Sequence, residues 1–219
     1  MPQSYFTPHL PSPLVVLAFL GTGFFLVLAL IAALAALALG RRRLAGRLSL
    51  ASLAGGAGYL AVLLAVSLAS REQVLRKGDR KYFCEMDCHL AYSIVAASAP
   101  DGGERLVTVK TWFDPSTIAS FRGDAPLTPN PRMLYVVDDR GRRYKAGDTA
   151  ALRRTLRPGE SYATTFAFRV PAEAKGLRLF LGDPPGLENL IVNHENSPLH
   201  AKIYFELPPP ASARMDGGS

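Results

Sequence analysis

The sequence predicts two N-terminal apolar helices, paired as a hairpin, followed by an all-β sandwich. Three observations carry this prediction. Residues 1–39 and 48–70 contain no Asp, Glu, Lys or Arg, and four arginines, Arg41, Arg42, Arg43 and Arg47, lie between them. From Arg71 onward the composition is that of a soluble domain. Within that domain, short runs of period-two alternation are separated by Gly, Pro and Asp turns.

The first apolar run, Leu14 to Leu39, has 26 residues and the second, Leu48 to Ala69, has 22. About 20 residues suffice to cross a hydrocarbon core of roughly 30 Å. The loop 40–47 carries four positive charges, and the positive-inside rule assigns such a loop to the cytoplasm. Residues 1–13 hold no Lys or Arg, so both chain ends are expected on the exported side of a bacterial inner membrane. A cleaved signal peptide would place basic residues before its apolar core, whereas here they follow it, so both helices are expected to be retained. Gly55, Gly56 and Gly58 give the second helix a smooth face. Small residues let helices approach closely in lipid, which suits docking of the first helix or of a partner membrane subunit; glycine is also simply common in membrane helices. Neither span contains an ionisable group, which argues against an ion path or proton relay.

Of the 25 Lys and Arg, 21 fall in residues 71–219 together with all 18 Asp and Glu. The chain's net charge of +7 therefore comes largely from the short loop, which excludes a general nucleic-acid binder. The expected organisation is a tail 1–13, helices 14–39 and 48–69 around the loop 40–47, a stem 70–80, a β domain 81–207 and a disordered tail 208–219. The stem is expected to extend the second helix briefly and then turn at Gly78-Asp79.

In the β domain, RLVTVKTWF at 105–113 alternates a Val/Phe face with a Leu/Thr/Lys/Trp face. Further strands are read at 91–97, 133–137, 142–145, 161–170, 176–182 and 201–207, with turns at 99–103, 138–141 and 157–160. The expected core is Val107, Val109, Trp112, Phe113, Val136, Phe166, Phe168, Leu179, Leu181, Ile203 and Phe205. Seven or so short strands suit an immunoglobulin-like sandwich. The stretch LRPGESYATTFAFRV at 156–170, closed by Pro171, resembles small immunoglobulin-like domains of unknown function in bacterial lipoproteins and membrane-anchored proteins, and LVTVKTWF and DDRGRRY fit the same pattern. The resemblance covers about 85–207 and implies a sandwich and export, with no catalytic residues.

The stretch with the most chemistry is Tyr82 to His89, YFCEMDCH, which holds both cysteines of the chain. In an oxidising compartment Cys84 and Cys88 are candidates for a local disulfide. A regular strand would place them about 13 Å apart, so a bridge requires a turn between them. Alternatively, two thiolates with His89 and Met86 are soft ligands suited to copper. The overall plan resembles cytochrome c oxidase subunit II, with two membrane helices and an exported sandwich carrying a CxxxC copper loop. Here the motif opens the domain instead of closing it, and position 92 is Tyr where that family would want His. His194 and His200, in a polar loop before the last strand, are weaker candidates to complete a metal site. CxxxCH is also a variant of the covalent haem motif, and Cys84, Cys88 and His89 with a remote histidine would make a zinc or redox site.

The remaining signals are bland. Arg122-Gly-Asp124 matches an adhesion tripeptide, but three-residue matches arise by chance, and Arg153, Arg154 and Arg157 read as a solvated face. There is no Ser-His-Asp set, G-x-S-x-G motif or P-loop, so no catalysis is expected. The expected class is a membrane-anchored accessory or interaction protein without a cofactor. Its partners would be the bilayer, membrane-protein subunits and an exported protein. The rival class is a copper-handling or electron-transfer protein, with haem and zinc behind copper.

Overall fold

The computed structural model describes residues 3–7, 12–84, 88–100, 103–118 and 122–208. The chain divides into two compact units, one of residues 9–71 and 186–201, the other of residues 1–8, 72–185 and 202–219.

The first unit is a helical hairpin with a loop packed on it. Helices α1 (Ser12–Ala38) and α2 (Arg42–Ala69) are joined at Gly40, which takes a left-handed φ of 72°. Both are long and apolar enough to cross a membrane. On α1 a stripe of less exposed positions runs through Val15, Phe19, Thr22, Leu26, Ala29, Ala33 and Ala36, with Val16 and Gly21 beside it. The stripe's alternating spacing of four and three is that of a coiled-coil seam. On α2 the matching stripe runs through Ala45, Leu48, Ser52, Gly56, Tyr59 and Leu63. Gly56 lies on this seam: a Cβ there would sit 3.9 Å from Leu26 Cδ1. Gly55 and Gly58 are exposed, with nothing within 4 Å of such a Cβ. Loop 186–201 joins the unit through Tyr59, whose hydroxyl donates to the Leu190 carbonyl at 2.6 Å, and through Ser70 Oγ, which accepts from Ala201 N at 2.7 Å.

The second unit is a two-sheet β-sandwich. Its strands are β1 (Ser4–Thr7), β2 (Gln73–Leu75), β3 (Arg80–Phe83), β4 (Leu90–Ser98), β5 (Glu104–Phe113), β6 (Met133–Val137), β7 (Arg143–Lys145), β8 (Ser161–Arg169), β9 (Arg178–Gly182) and β10 (Ile203–Glu206). One sheet has the order β1-β3-β4-β5-β8 and the other β2-β10-β9-β6-β7. All pairs are antiparallel except β1 with β3 and β2 with β10.

The period-two pattern decides which side chains meet between the sheets. Val107, Val109 and Phe113 of β5 and Phe166 and Phe168 of β8 face Val136, Leu179, Leu181, Ile203 and Phe205 of the other sheet, all at most 4% exposed. Trp112 departs from the expected core. It shares its parity with Lys110, opposite Phe113, and so lies half-buried on the outer face.

The N-terminal region and the stem also differ from expectation. Residues 4–7 form an edge strand. After α2 the chain does not continue as helix, because Val74 and Leu75 pair with Tyr204 and Phe205 in β2. The expected turn follows: Asp79 N donates to Arg76 O, and Gly78 takes φ 90°. The tail from 209 onward lies outside the described residues.

One buried side chain joins the two sheets. Lys81 of β3 is fully buried, and its amino group donates to the carbonyls of Leu181 at 2.7 Å and Ile203 at 3.4 Å. The β9–β10 ladder ends at Phe180–Tyr204, so beyond that pair the two strands no longer bond each other. Lys81 supplies donors where they part. Removing these donors leaves buried carbonyls unsatisfied, at a cost of about 1–3 kcal/mol. Lys81→Met in the full chain should lower stability by that amount, measured as a shift in denaturant midpoint, with the secondary structure retained by far-UV circular dichroism.

Candidate functional site

The cysteine motif falls on the β3–β4 hairpin. The register Phe83↔Leu90 closes the ladder on either side of residues 84–89, which form the connection. Cys84 and Cys88 therefore follow and precede two paired strands and do not lie along a single one. Cys84 and Cys88 form a disulfide with a Cα–Cα distance of 4.2 Å. Met86 lies outside the described residues. In this state neither sulfur is a thiolate, and so neither is a soft metal ligand. Among the described residues there is no group of three or more His, Cys, Asp or Glu that could hold a metal.

His89 points into the fold. It is 7% exposed, and its ring lies 5.1 Å from that of Phe113. Its carbonyl accepts from Asp114 N at 2.8 Å. Burial, and then the positive Arg122, pull the imidazole pKa down to about 4, so the ring is neutral at pH 7. His194 and His200 lie in loop 186–201, which belongs to the helical unit. There His194 Nδ1 accepts from Asn196 N at 3.1 Å, and His200 Nδ1 lies 2.6 Å from the Ala201 carbonyl. The Nδ1 atoms of His194 and His200 thus lie against neighbouring backbone groups.

Around the disulfide, a small polar network fixes the strand ends. Thr117 Oγ1 donates to the Cys88 carbonyl at 2.9 Å. The Asp114 carboxylate accepts from Tyr82 Oη at 2.6 Å and from Ser116 N and Oγ at 2.9 and 2.6 Å. Burial would raise the Asp114 pKa. The hydrogen bonds from Ser116 and Tyr82, with nearby Arg80, outweigh that and hold the carboxyl below its usual range. Arg132, 4% exposed, pairs with Asp183 and stacks 4.0 Å from the Phe83 ring.

A shallow groove on the outer face of the first sheet is the other feature with binding chemistry. Its floor is Ala91, Ser93 and Val95, and its walls include Arg80, Lys110 and Trp112. The Arg80 guanidinium lies 4.1 Å from the centroid of the Trp112 ring. A cation stacked on an indole, with a second cation beside it, suits an anionic or planar group. The signal for this groove is present in the alternation of β5, which puts Lys110 and Trp112 on one face. The core assignment of Trp112 hid it.

Comparison with known proteins adds little. No family model and no curated protein matches the chain, so neither the immunoglobulin-like family nor oxidase subunit II is supported by a relative. Among solved structures, MPT63, a secreted protein from Mycobacterium tuberculosis, is similar at 10% identity and a TM-score of 0.40, covering 63% of this chain and 98% of that one.

Two outcomes follow from the geometry. Closing so short a loop removes little chain entropy, so Cys88→Ser should lower stability by about 2 kcal/mol and leave the sandwich folded. For His89, the folded pKa of about 4 lies below the ordinary 6.5. The neutral ring's contribution is therefore complete above pH 6.5 and lost as the pH falls toward 4. Denaturant midpoints measured from pH 7 to pH 4 should decline, and His89→Phe should flatten that decline.

Proposed function

We propose that the chain is a membrane-anchored accessory protein. In this reading a helical hairpin holds an immunoglobulin-like sandwich at the outer face of a bacterial inner membrane, and the sandwich engages an exported partner without catalysis. The observation that carries the reading is the parallel pairing of Ser4–Thr7, before α1, with Arg80–Phe83, after α2. Strands of one sheet cannot hydrogen-bond across a bilayer, so the two flanks of the hairpin share one side. An even number of crossings is the topology that satisfies this. The four arginines at the α1–α2 junction, Arg41 before α2 and Arg42, Arg43 and Arg47 in its first two turns, then select the outer side for the sheet.

The immunoglobulin-like assignment is supported by strand order. The sets β4-β5-β8 and β7-β6-β9-β10 correspond to A-B-E and C′-C-F-G of such sandwiches, with β1, β3 and β2 added at edges. Gly55 and Gly58, which α1 leaves open, suit a partner membrane subunit. The groove of Arg80, Lys110 and Trp112 is the surface this reading gives to the exported partner. The rival metal readings require reduced Cys84 and Cys88, and a disulfide removes the thiolates they use.

The topology is tested with a membrane-impermeant maleimide on cells whose outer membrane has been permeabilised. The native disulfide does not react, so single cysteines report position. Ser4→Cys should label before lysis and Arg42→Cys only after it. The reverse pattern, or equal labelling of both, would overturn the reading.

A further inference from the structure

We infer that loop 186–201 is embedded in the outer leaflet, with its exposed leucines in contact with lipid acyl chains. The inference rests on the reading that α2 spans the membrane. Its first support is an inverted exposure pattern. The exposed residues of the loop are Gly186, Leu187, Leu190, Pro198 and Leu199, all apolar. Leu187 is 75% and Leu199 68% exposed, whereas Glu195 and Ser197 are 5% and 3% exposed. A loop facing water shows the opposite arrangement, because burying acids and hydroxyls while exposing leucine is unfavourable there. In hydrocarbon the same arrangement is favourable.

The second support is depth. Tyr59, whose hydroxyl holds the Leu190 carbonyl, precedes the last residue of α2, Ala69, by ten positions. At a rise of about 1.5 Å per residue it lies ~15 Å inside the helix end. The hydrocarbon core is roughly 30 Å thick, so the loop descends beside the helix to hydrocarbon depth.

The third support is backbone accounting. Asn189, Ile191, His194, Ser197 and His200 each donate their N–H to the carbonyl three residues earlier. A non-helical segment at membrane depth must satisfy its backbone groups within the protein; these turns pair five of the loop's N–H groups, while Asn189 Oδ1 is buried without a hydrogen bond. Ser197 Oγ adds a bond to the Ile191 carbonyl at 2.8 Å. Leu199 is held outward at φ 64°, a conformation that branched residues seldom adopt.

The test uses the full chain in phosphatidylcholine vesicles whose acyl chains carry a nitroxide quencher. An environment-sensitive fluorophore is placed on Leu187→Cys or on Leu199→Cys. Leu53→Cys, exposed on α2, reports the span itself, and Thr165→Cys, exposed on β8, reports water. The expected result is quenching at 187 and 199 at least half as strong as at 53, with none at 165. If 53 is quenched while 187 and 199 behave like 165, the inference falls and the hairpin stands. A blue-shifted but unquenched signal at 187 and 199 would mean that protein covers the loop, and it also overturns the inference. If 53 is unquenched, the spanning reading and the inference fail together.

Discussion

The pairing of β1 with β3 constrains everything else in the chain. It is only four residues long and lies at a sheet edge. It nevertheless hydrogen-bonds segments that flank 58 residues of helical hairpin and turn, 12–69, so the hairpin must return the chain to its starting side. Asp79 reinforces the junction. Its carboxylate accepts from Gln3 N at 2.9 Å and from Arg76 N at 2.8 Å, and Gln3 O in turn accepts from Arg80 N. One buried acid thus ties the start of the chain to the turn that leads into the sandwich.

The sandwich is held by an apolar core with polar closures at defined places. Lys81 bridges the sheets where β9 and β10 separate, and the Cys84–Cys88 bridge closes the adjoining hairpin only three residues away. Asp138 plays a similar part at the β6–β7 turn. It accepts from the backbone of Arg140 and Arg142, from Arg142 Nε and from Tyr144 Oη. Burial acts to raise its pKa, but these bonds prevail and bring it down to about 2. Lys81 and Asp138 each satisfy groups that the regular ladders leave over.

The elements most legible in the sequence were those whose pattern is local. The alternation of 105–113 and 161–170 predicted both strands and the inward parity of Val107, Val109, Phe166 and Phe168. The same parity, read strictly, would have placed Trp112 outside. The strands β1, β2 and β3 were not legible, because three or four residues carry no periodicity and their partners are remote. The Lys81 role was hidden for a related reason: it lies at the boundary between the stem 70–80 and the cysteine motif, and its register with β4 is not visible in the sequence. At the cysteines the sequence left the choice open between a bridge and a ligand pair. The hairpin that decides it arises from strand pairing, not from the motif. The stretch 193–200 reads as a polar loop, since composition says nothing about which side chains turn inward.

The long span between β1 and its partner has a consequence for biogenesis. Gln3 and Asp79 are separated by 76 residues. During synthesis the first strand therefore waits, unpaired, while both helices emerge, and the edge of β3 stays open until the two meet. A chain without β1 would leave that edge of β3 unpaired. Completion of the first sheet thus waits on the synthesis of both helices.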